Sequence, residues 1–130
     1  MRKILMCGLL FFIFFAIPQS YALTNISTCS NLTNAGDTYY LTADIINYSS
    51  SPCMDFKSYN VILDCRGHTI DGVDYGTGIN APDSSNVQSN IRNCFVSDWG
   101  TGIYFRSVYG SIINVTLHSN GDGMYFRASY

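Results

Sequence analysis

The sequence contains no glutamate and only two lysines, Lys3 and Lys57, among its 130 residues. Both residue types favour helices, whereas the Asn, Asp, Ser and Gly that are common here favour turns. The composition therefore indicates an all-β protein. The formal net charge is -2 at pH 7 and no run of basic residues is present, so nucleic acid is not expected as a partner.

The sequence also lacks the residue spacing that metal-binding cysteines need. No two of its five cysteines form a Cys-x-x-Cys pair, and only two histidines, His68 and His118, are available. Zinc is therefore not expected. Copper would need clustered Met and His side chains, which are scattered here. The sequence predicts no metal site.

The longest uncharged run is short and lies near the N-terminus. Met1-Arg2-Lys3 precedes fourteen uncharged, mostly apolar residues, and Ser20-Tyr21-Ala22 offers small residues at the positions that a signal peptidase recognises. Fourteen helical residues span only about 21 Å, less than a hydrocarbon core of about 30 Å. We therefore predict a signal peptide at 1–22, a protein that is secreted or held at the cell surface, and no membrane span.

The remainder of the chain contains related copies of one segment, with shifts of 21, 24 and 26 residues. The aligned segments are GTGIYFR (100–106) with GDGMYFR (121–127), DYGTGI (74–79) with DWGTGI (98–103), and NVILDCRGHTI (60–70) with NVQSNIRNCFV (86–96). This period, with three short strands per copy, is typical of a solenoid. We predict an all-β, right-handed parallel β-helix. The recurring Gly-x-Gly pairs are attributed to turns rather than to phosphate binding.

Equivalent positions of successive coils stack about 4.8 Å apart, so each aligned position predicts a column of side chains. Three apolar columns are expected in the core: Ile70–Val96–Leu117, Ile79–Ile103–Met124 and Cys65–Ile91–Ile112. Side chains alternate along a strand, so two neighbouring columns are expected to face solvent. These are Asn80–Tyr104–Tyr125 and Pro82–Arg106–Arg127.

The two ends of the solenoid are expected to differ. Residues 23–59 do not follow the repeat, and we expect them to form an N-terminal cap with the first strands. Residues 60–130 are predicted to form about three coils. Because the last copy stops where another coil would begin, leaving an unpaired edge, we interpret the chain as the N-terminal piece of a longer, C-terminally truncated solenoid.

Four cysteines remain beyond the predicted cleavage site, and an exported protein can form disulfides. Cys29 and Cys53 flank one N-terminal segment, and we predict a bridge between them. Cys65 and Cys94 occupy neighbouring inward columns. We expect these two to be buried free thiols.

The string NVILDCRGHTIDG (60–72), followed by GTGI and a later NC, resembles the right-handed parallel β-helix repeat proteins of the pectate-lyase-like superfamily. Within that superfamily it is most similar to the NosD-like group of exported repeat proteins. The resemblance covers roughly residues 28–130 and implies the fold. It does not imply one activity, because the superfamily includes polysaccharide lyases, hydrolases, epimerases and adhesins.

The outward columns supply the candidate ligand-binding residues Tyr104, Arg106, Tyr125 and Arg127. Aromatic faces pack on sugar rings, and the Arg guanidinium pairs with uronate or sulfate groups. The alternative is that tyrosine simply suits an exposed strand and arginine keeps it soluble. We expect a non-catalytic module that binds a polysaccharide or a cell-surface glycan.

An enzyme that acts on acidic polysaccharide is the second hypothesis. Asp74 and Asp98 align one coil apart, so their carboxyl groups are expected about 5 Å from each other, which suits calcium or paired acid chemistry. Both precede aromatic-Gly turns, where Asp is a common turn residue, and the third coil has Ser119 at this position. We therefore expect no catalytic residue in this fragment and no cofactor, with Ca²⁺ required only if the chain is an enzyme.

Four Asn-x-Ser/Thr motifs are possible acceptors of N-linked glycans. Asn25, Asn31 and Asn47 are the predicted acceptors. Asn114 aligns with Asn93, and we expect these two to form a hydrogen-bonded ladder at a turn instead.

Overall fold

The computed structural model describes residues 21–82, 88–106 and 109–127, and within these ranges it contains eleven strands. They are β1 (Leu23–Ile26), β2 (Ser30–Leu32), β3 (Thr38–Leu41), β4 (Met54–Phe56), β5 (Val61–Asp64), β6 (Thr69–Asp71), β7 (Thr77–Ala81), β8 (Ser89–Ser97), β9 (Thr101–Phe105), β10 (Ser111–His118) and β11 (Asp122–Phe126). The predicted signal peptide, apart from its last two residues, lies outside the described ranges.

The strands form two parallel sheets between which the chain alternates. The first sheet has the order β1-β3-β5-β8-β10, with β6 also paired to β8, and the second has the order β2-β4-β7-β9-β11. The result is a parallel β-solenoid of about 4 turns, which confirms the predicted all-β solenoid. Within the described ranges, no helix has the length and apolar character needed to cross a membrane.

The segment 23–59 continues both sheets. Its strand β1 pairs with β3, where Leu23 lies opposite Thr38, and β3 pairs with β5, where Thr38 lies opposite Ile62. The two steps are therefore 15 and 24 residues long. This uneven spacing hides the repeat in the sequence, although the segment contributes four strands to the solenoid rather than a strand or two outside it.

Two of the three predicted core columns are present. Ile70 pairs with Val96 and Val96 with Leu117, while Ile79 pairs with Ile103 and Ile103 with Met124. Burial is complete in the middle coils and incomplete in the last described coil, where Met124 is 46% exposed. The apolar interior formed in this way is the main contribution of the packing to stability.

The third predicted core column is wrong. Leu63, and not Cys65, lies opposite Ile91, because the register between β5 and β8 is 28 residues, whereas it is 26 between β6 and β8. A turn with positive φ at Arg66 and Gly67 separates β5 from β6. It uses two residues more than the bend at Asn93, where the single long strand β8 turns the same corner.

The corrected register also changes the cysteine pairing. The predicted Cys29–Cys53 disulfide is present, with Cα atoms 4.5 Å apart. The expectation of free thiols at Cys65 and Cys94 is wrong, since these two cysteines form a second disulfide with a Cα–Cα distance of 4.8 Å. The amide of Cys65 donates to the Arg92 carbonyl at 3.1 Å, so Cys65 lies beside the residues that precede Cys94.

The recurring glycines are explained mainly by close packing, and not by turns as we expected. Among them only Gly76 has a positive φ. Gly78 and Gly102 lie in strands, where an added Cβ would come within 2.7 Å and 2.6 Å of the carbonyl oxygen of the equivalent glycine in the next coil. The buried Trp99 ring also packs against Gly78, and its Nε1 donates to the Ile70 carbonyl at 3.1 Å.

Candidate functional site

One face of the second sheet carries an outward row of equivalent side chains across five strands. We call it the tyrosine column; it consists of Asn31, Asp55, Asn80, Tyr104 and Tyr125. The predicted members Asn80, Tyr104 and Tyr125 are in register as expected. Asn31 and Asp55 were missed because the segment that contains them could not be aligned with the repeat.

The column changes character along the solenoid. Its N-terminal part is polar, and the Asn80 amide donates to the Asp55 carboxylate at 2.9 Å. Its C-terminal part is aromatic: the Tyr104 and Tyr125 rings stack with centroids 5.1 Å apart and an interplanar angle of 1°. Stacking covers one face of each ring, so each tyrosine has at most one face left for a sugar. The ring edges and hydroxyl groups remain as contact points.

A row of basic residues runs beside the tyrosine column. We call it the cationic column; it consists of Lys57, Pro82, Arg106 and Arg127. Its register follows from backbone bonds that Arg106 and Arg127 donate to Ala81 and Phe105 of the preceding coils, at 2.9 and 3.1 Å. Lys57, which the sequence alignment missed, belongs to this row because it directly follows β4 as Pro82 follows β7.

The charges of the cationic column are not equally paired. Lys57 Nζ lies 2.5 Å from the Asp55 carboxylate. Among the described residues, neither Arg106 nor Arg127 has an ion-pair partner. One guanidinium nitrogen of Arg106 lies 3.5 Å from the Tyr104 hydroxyl, and its Nε is buried without a partner in the described part of the chain. A buried donor of this kind is satisfied by an acceptor from a ligand or from water.

The two candidate catalytic residues, Asp74 and Asp98, lie at equivalent corners of successive coils. Both have positive φ, as has Ser119 in the following coil, so all three are turn residues. The Asp74 amide donates to the Asp98 carbonyl at 2.6 Å. These backbone roles explain why Asp recurs at this position, because a short polar side chain tolerates the left-handed conformation.

The carboxyl group of Asp98 meets that of Asp71, which the sequence did not single out. A hydrogen bond with Asp71, together with burial and the negative charges of Asp71 and Asp74, raises the pKa of Asp98, and His118 opposes this rise. Burial would also raise the pKa of Asp71, but bonds from the Ser97 hydroxyl and the Asn47 amide, and from Asp98, lower it. The Ser97 and Asn47 bonds are 2.7 and 2.9 Å long.

A polar ladder occupies the bend of the first sheet. The Asn114 amide donates to Asn93 at 2.9 Å, which confirms the predicted ladder, and the Asn93 amide donates to Asp64 at 3.0 Å. Although burial opposes the effect, bonds from Asn93, Arg66 and Arg92 lower the pKa of Asp64. The ladder is explained by its own hydrogen bonds and holds the bend in place.

The strand register and the two columns define the class of this protein as a parallel β-solenoid. Comparison of the chain with models of protein families, with curated proteins and with solved structures gives no match. The functional argument therefore depends on the geometry of the outer face.

Proposed function

We propose that the chain is an exported, non-catalytic β-solenoid module that binds a polysaccharide or a cell-surface glycan on the outer face of its second sheet. The observation that supports this best is the stacked Tyr104–Tyr125 pair beside two arginines that have no ion-pair partner among the described residues. Both rows are carried by paired strands, so their side chains are held on a rigid surface.

The spacing of the two rows suits a chain of sugars. The tyrosine rings repeat every 5.1 Å, which is close to the length of one sugar residue. The phenol hydroxyls can donate to sugar oxygens, and Arg106 and Arg127 can pair with carboxylate or sulfate groups. An acidic glycan would also reduce the repulsion between the two arginines.

We further propose that the chain is exported and belongs to the NosD-like group of the pectate-lyase-like superfamily. Two disulfides are compatible with an extracellular location, since such bonds persist in oxidising compartments. The solenoid and the NVILDCRGHTIDG motif support the family membership.

Affinity electrophoresis tests the binding proposal. Gels that contain polygalacturonate, a sulfated glucan or a neutral glucan are run with the wild-type chain and with Tyr104→Ala. We expect retardation by an acidic glycan, and binding roughly five- to tenfold weaker in Tyr104→Ala, the loss of about 1 kcal/mol of aromatic and hydrogen-bond contact. Added salt should weaken binding, because the arginine contribution is screened.

Tyr59→Ala is the matched control, because Tyr59 is 60% exposed but lies outside the tyrosine column. It should bind like the wild-type chain. Equal losses in Tyr59→Ala and Tyr104→Ala would contradict the proposed site, and an absence of retardation by every glycan would refute the binding function.

A polysaccharide lyase or hydrolase that acts on acidic glycans is the second candidate. The pKa of Asp98 is raised beside Asp71, whose pKa is lowered. Carboxyl groups with separated pKa values are suited to acid–base chemistry. Formation of new reducing ends or unsaturated uronates from polygalacturonate, with and without Ca²⁺, tests this candidate. Activity that Asp98→Asn abolishes in a folded protein would favour the enzyme over the binding module.

A further inference from the structure

A groove of about 200 Å³ lies at the N-terminal end of the second sheet. Its lining consists of Cys29, Ser30, Asn31, Tyr48, Pro52 and Cys53. Strand β2 forms one side, and it is paired only on its other edge, with β4. The half-buried Tyr48 and Pro52 provide the apolar part of the wall, and the volume is about that of one sugar ring.

Asn31 begins the motif Asn31-Leu32-Thr33, and the strand orients this motif. Leu32 is fully buried, and therefore its two neighbours, Asn31 and Thr33, point to the solvent side together. Among the described residues, the Asn31 amide has no hydrogen-bond partner. The acceptor nitrogen and the hydroxyl that a modifying enzyme recognises thus lie on the same exposed face, at the groove.

The other three motifs lack this arrangement. The Asn114 amide is already bound to Asn93 at 2.9 Å. Asn47 has a left-handed φ of 53°, and Ser49 of its motif accepts a hydrogen bond from Tyr75. Asn25 is exposed on β1, outside the residues that line the groove.

We propose that Asn31 is the acceptor of an N-linked glycan and that the first sugar of this glycan occupies the groove against Tyr48 and Pro52. In the transfer, the Asn31 side-chain nitrogen forms a bond to the anomeric carbon of a lipid-linked glycosyl diphosphate. The bond from that carbon to the diphosphate breaks, and the amide proton leaves with the diphosphate. The apolar face of the sugar ring then packs on the tyrosine ring.

Intact-mass measurement of the full chain, secreted from a glycosylating host behind a host leader, tests the acceptor. Thr33→Ala removes the motif without changing Asn31, and Thr33→Ser keeps it. We expect the mass of one glycan to be lost in Thr33→Ala and retained in Thr33→Ser and Asn114→Gln. No difference in mass between wild type and Thr33→Ala would overturn the proposal, whatever the outcome of the polysaccharide-binding experiments.

Thermal unfolding tests the groove. The glycan is trimmed enzymatically to its first sugar, and the Tm is compared with that of the unglycosylated Thr33→Ala protein. We expect the trimmed protein to melt about 4 °C higher if one ring contact is gained. The same comparison in the Tyr48→Ala background should show no gain. An equal gain with and without the Tyr48 ring would place the sugar outside the groove.

Discussion

At the scale of single residues, the carboxyl pair of Asp71 and Asp98 shows how one side chain can act both for and against the fold. Its left-handed φ suits Asp98 to the corner, whereas the neighbouring charges of Asp71 and Asp74 disfavour its ionised form. A raised pKa in the folded state means that Asp98 contributes stability when protonated. This contribution is lost as the pH rises through the folded-state pKa.

The variant Asp98→Asn is therefore expected to raise the Tm at neutral pH. Asparagine tolerates the same backbone conformation, carries no charge and can donate to Asp71. The gain should shrink as the pH falls, because Asp98 is then protonated in the wild-type protein as well. Thermal unfolding of both proteins between about pH 3 and pH 8 measures this difference. A gain that does not depend on pH would contradict an electrostatic cause.

The lowered pKa of Asp71 has the opposite effect. Its ionised form accepts bonds from Ser97 and Asn47, so it contributes stability at neutral pH. That contribution is lost as the pH falls through the lowered pKa of Asp71. Neither partner of this pair could be identified from spacing alone, because Asp71 belongs to β6 and Asp98 follows β8.

At the scale of strands and turns, the glycines that separate successive coils set how closely the coils approach. A Cβ on Gly102 would lie 2.6 Å from the Gly123 carbonyl oxygen and 2.9 Å from the Asn120 amide. Asn120 cannot easily move, because it accepts from the Trp99 amide and donates to the Val96 carbonyl. Backbone atoms therefore have to shift to accommodate a methyl group at Gly102.

We expect Gly102→Ala to lower the free energy of unfolding by about 1–3 kcal/mol, as overpacking does. Gly123→Ala is the matched control one coil later, since its Cβ would meet Leu117 at 3.7 Å, an ordinary contact. Urea denaturation of the two variants compares them directly. Similar losses in both would show that backbone entropy, and not the close approach of the coils, is the reason for glycine here.

The strands and outward columns of residues 60–127 could be predicted because stacking repeats the same side chains at a regular interval. Tyr104 and Tyr125 were placed in register on that basis alone. The method failed where a turn changed length, which moved Cys65 away from Ile91. It also could not show that the two tyrosine rings stack face to face, because sequence alignment contains no information on side-chain rotation.

At the scale of the whole molecule, the two disulfides each join neighbouring coils. The Cys65–Cys94 bond closes a segment of 29 residues, and a loop of this size corresponds to roughly 3–4 kcal/mol in the chain-entropy description. We expect the double variant Cys65→Ser/Cys94→Ser to lose about this much stability in urea denaturation. Peptide mapping without reduction should recover the linked Cys65 and Cys94 peptides from the wild-type chain, and free thiols at both positions would refute the pairing.

The positions of the two bonds divide the solenoid into covalent blocks. Cys29–Cys53 ties the strands β1 and β2 to β3 and β4, and Cys65–Cys94 ties β5 through β7 to β8 and β9. No disulfide among the described residues crosses between these blocks, and there β4 and β7 share only two paired positions. Local opening should therefore begin at this seam. In amide hydrogen exchange, the Cys53 amide that reaches across to Thr77 should lose its protection before the amides inside either block.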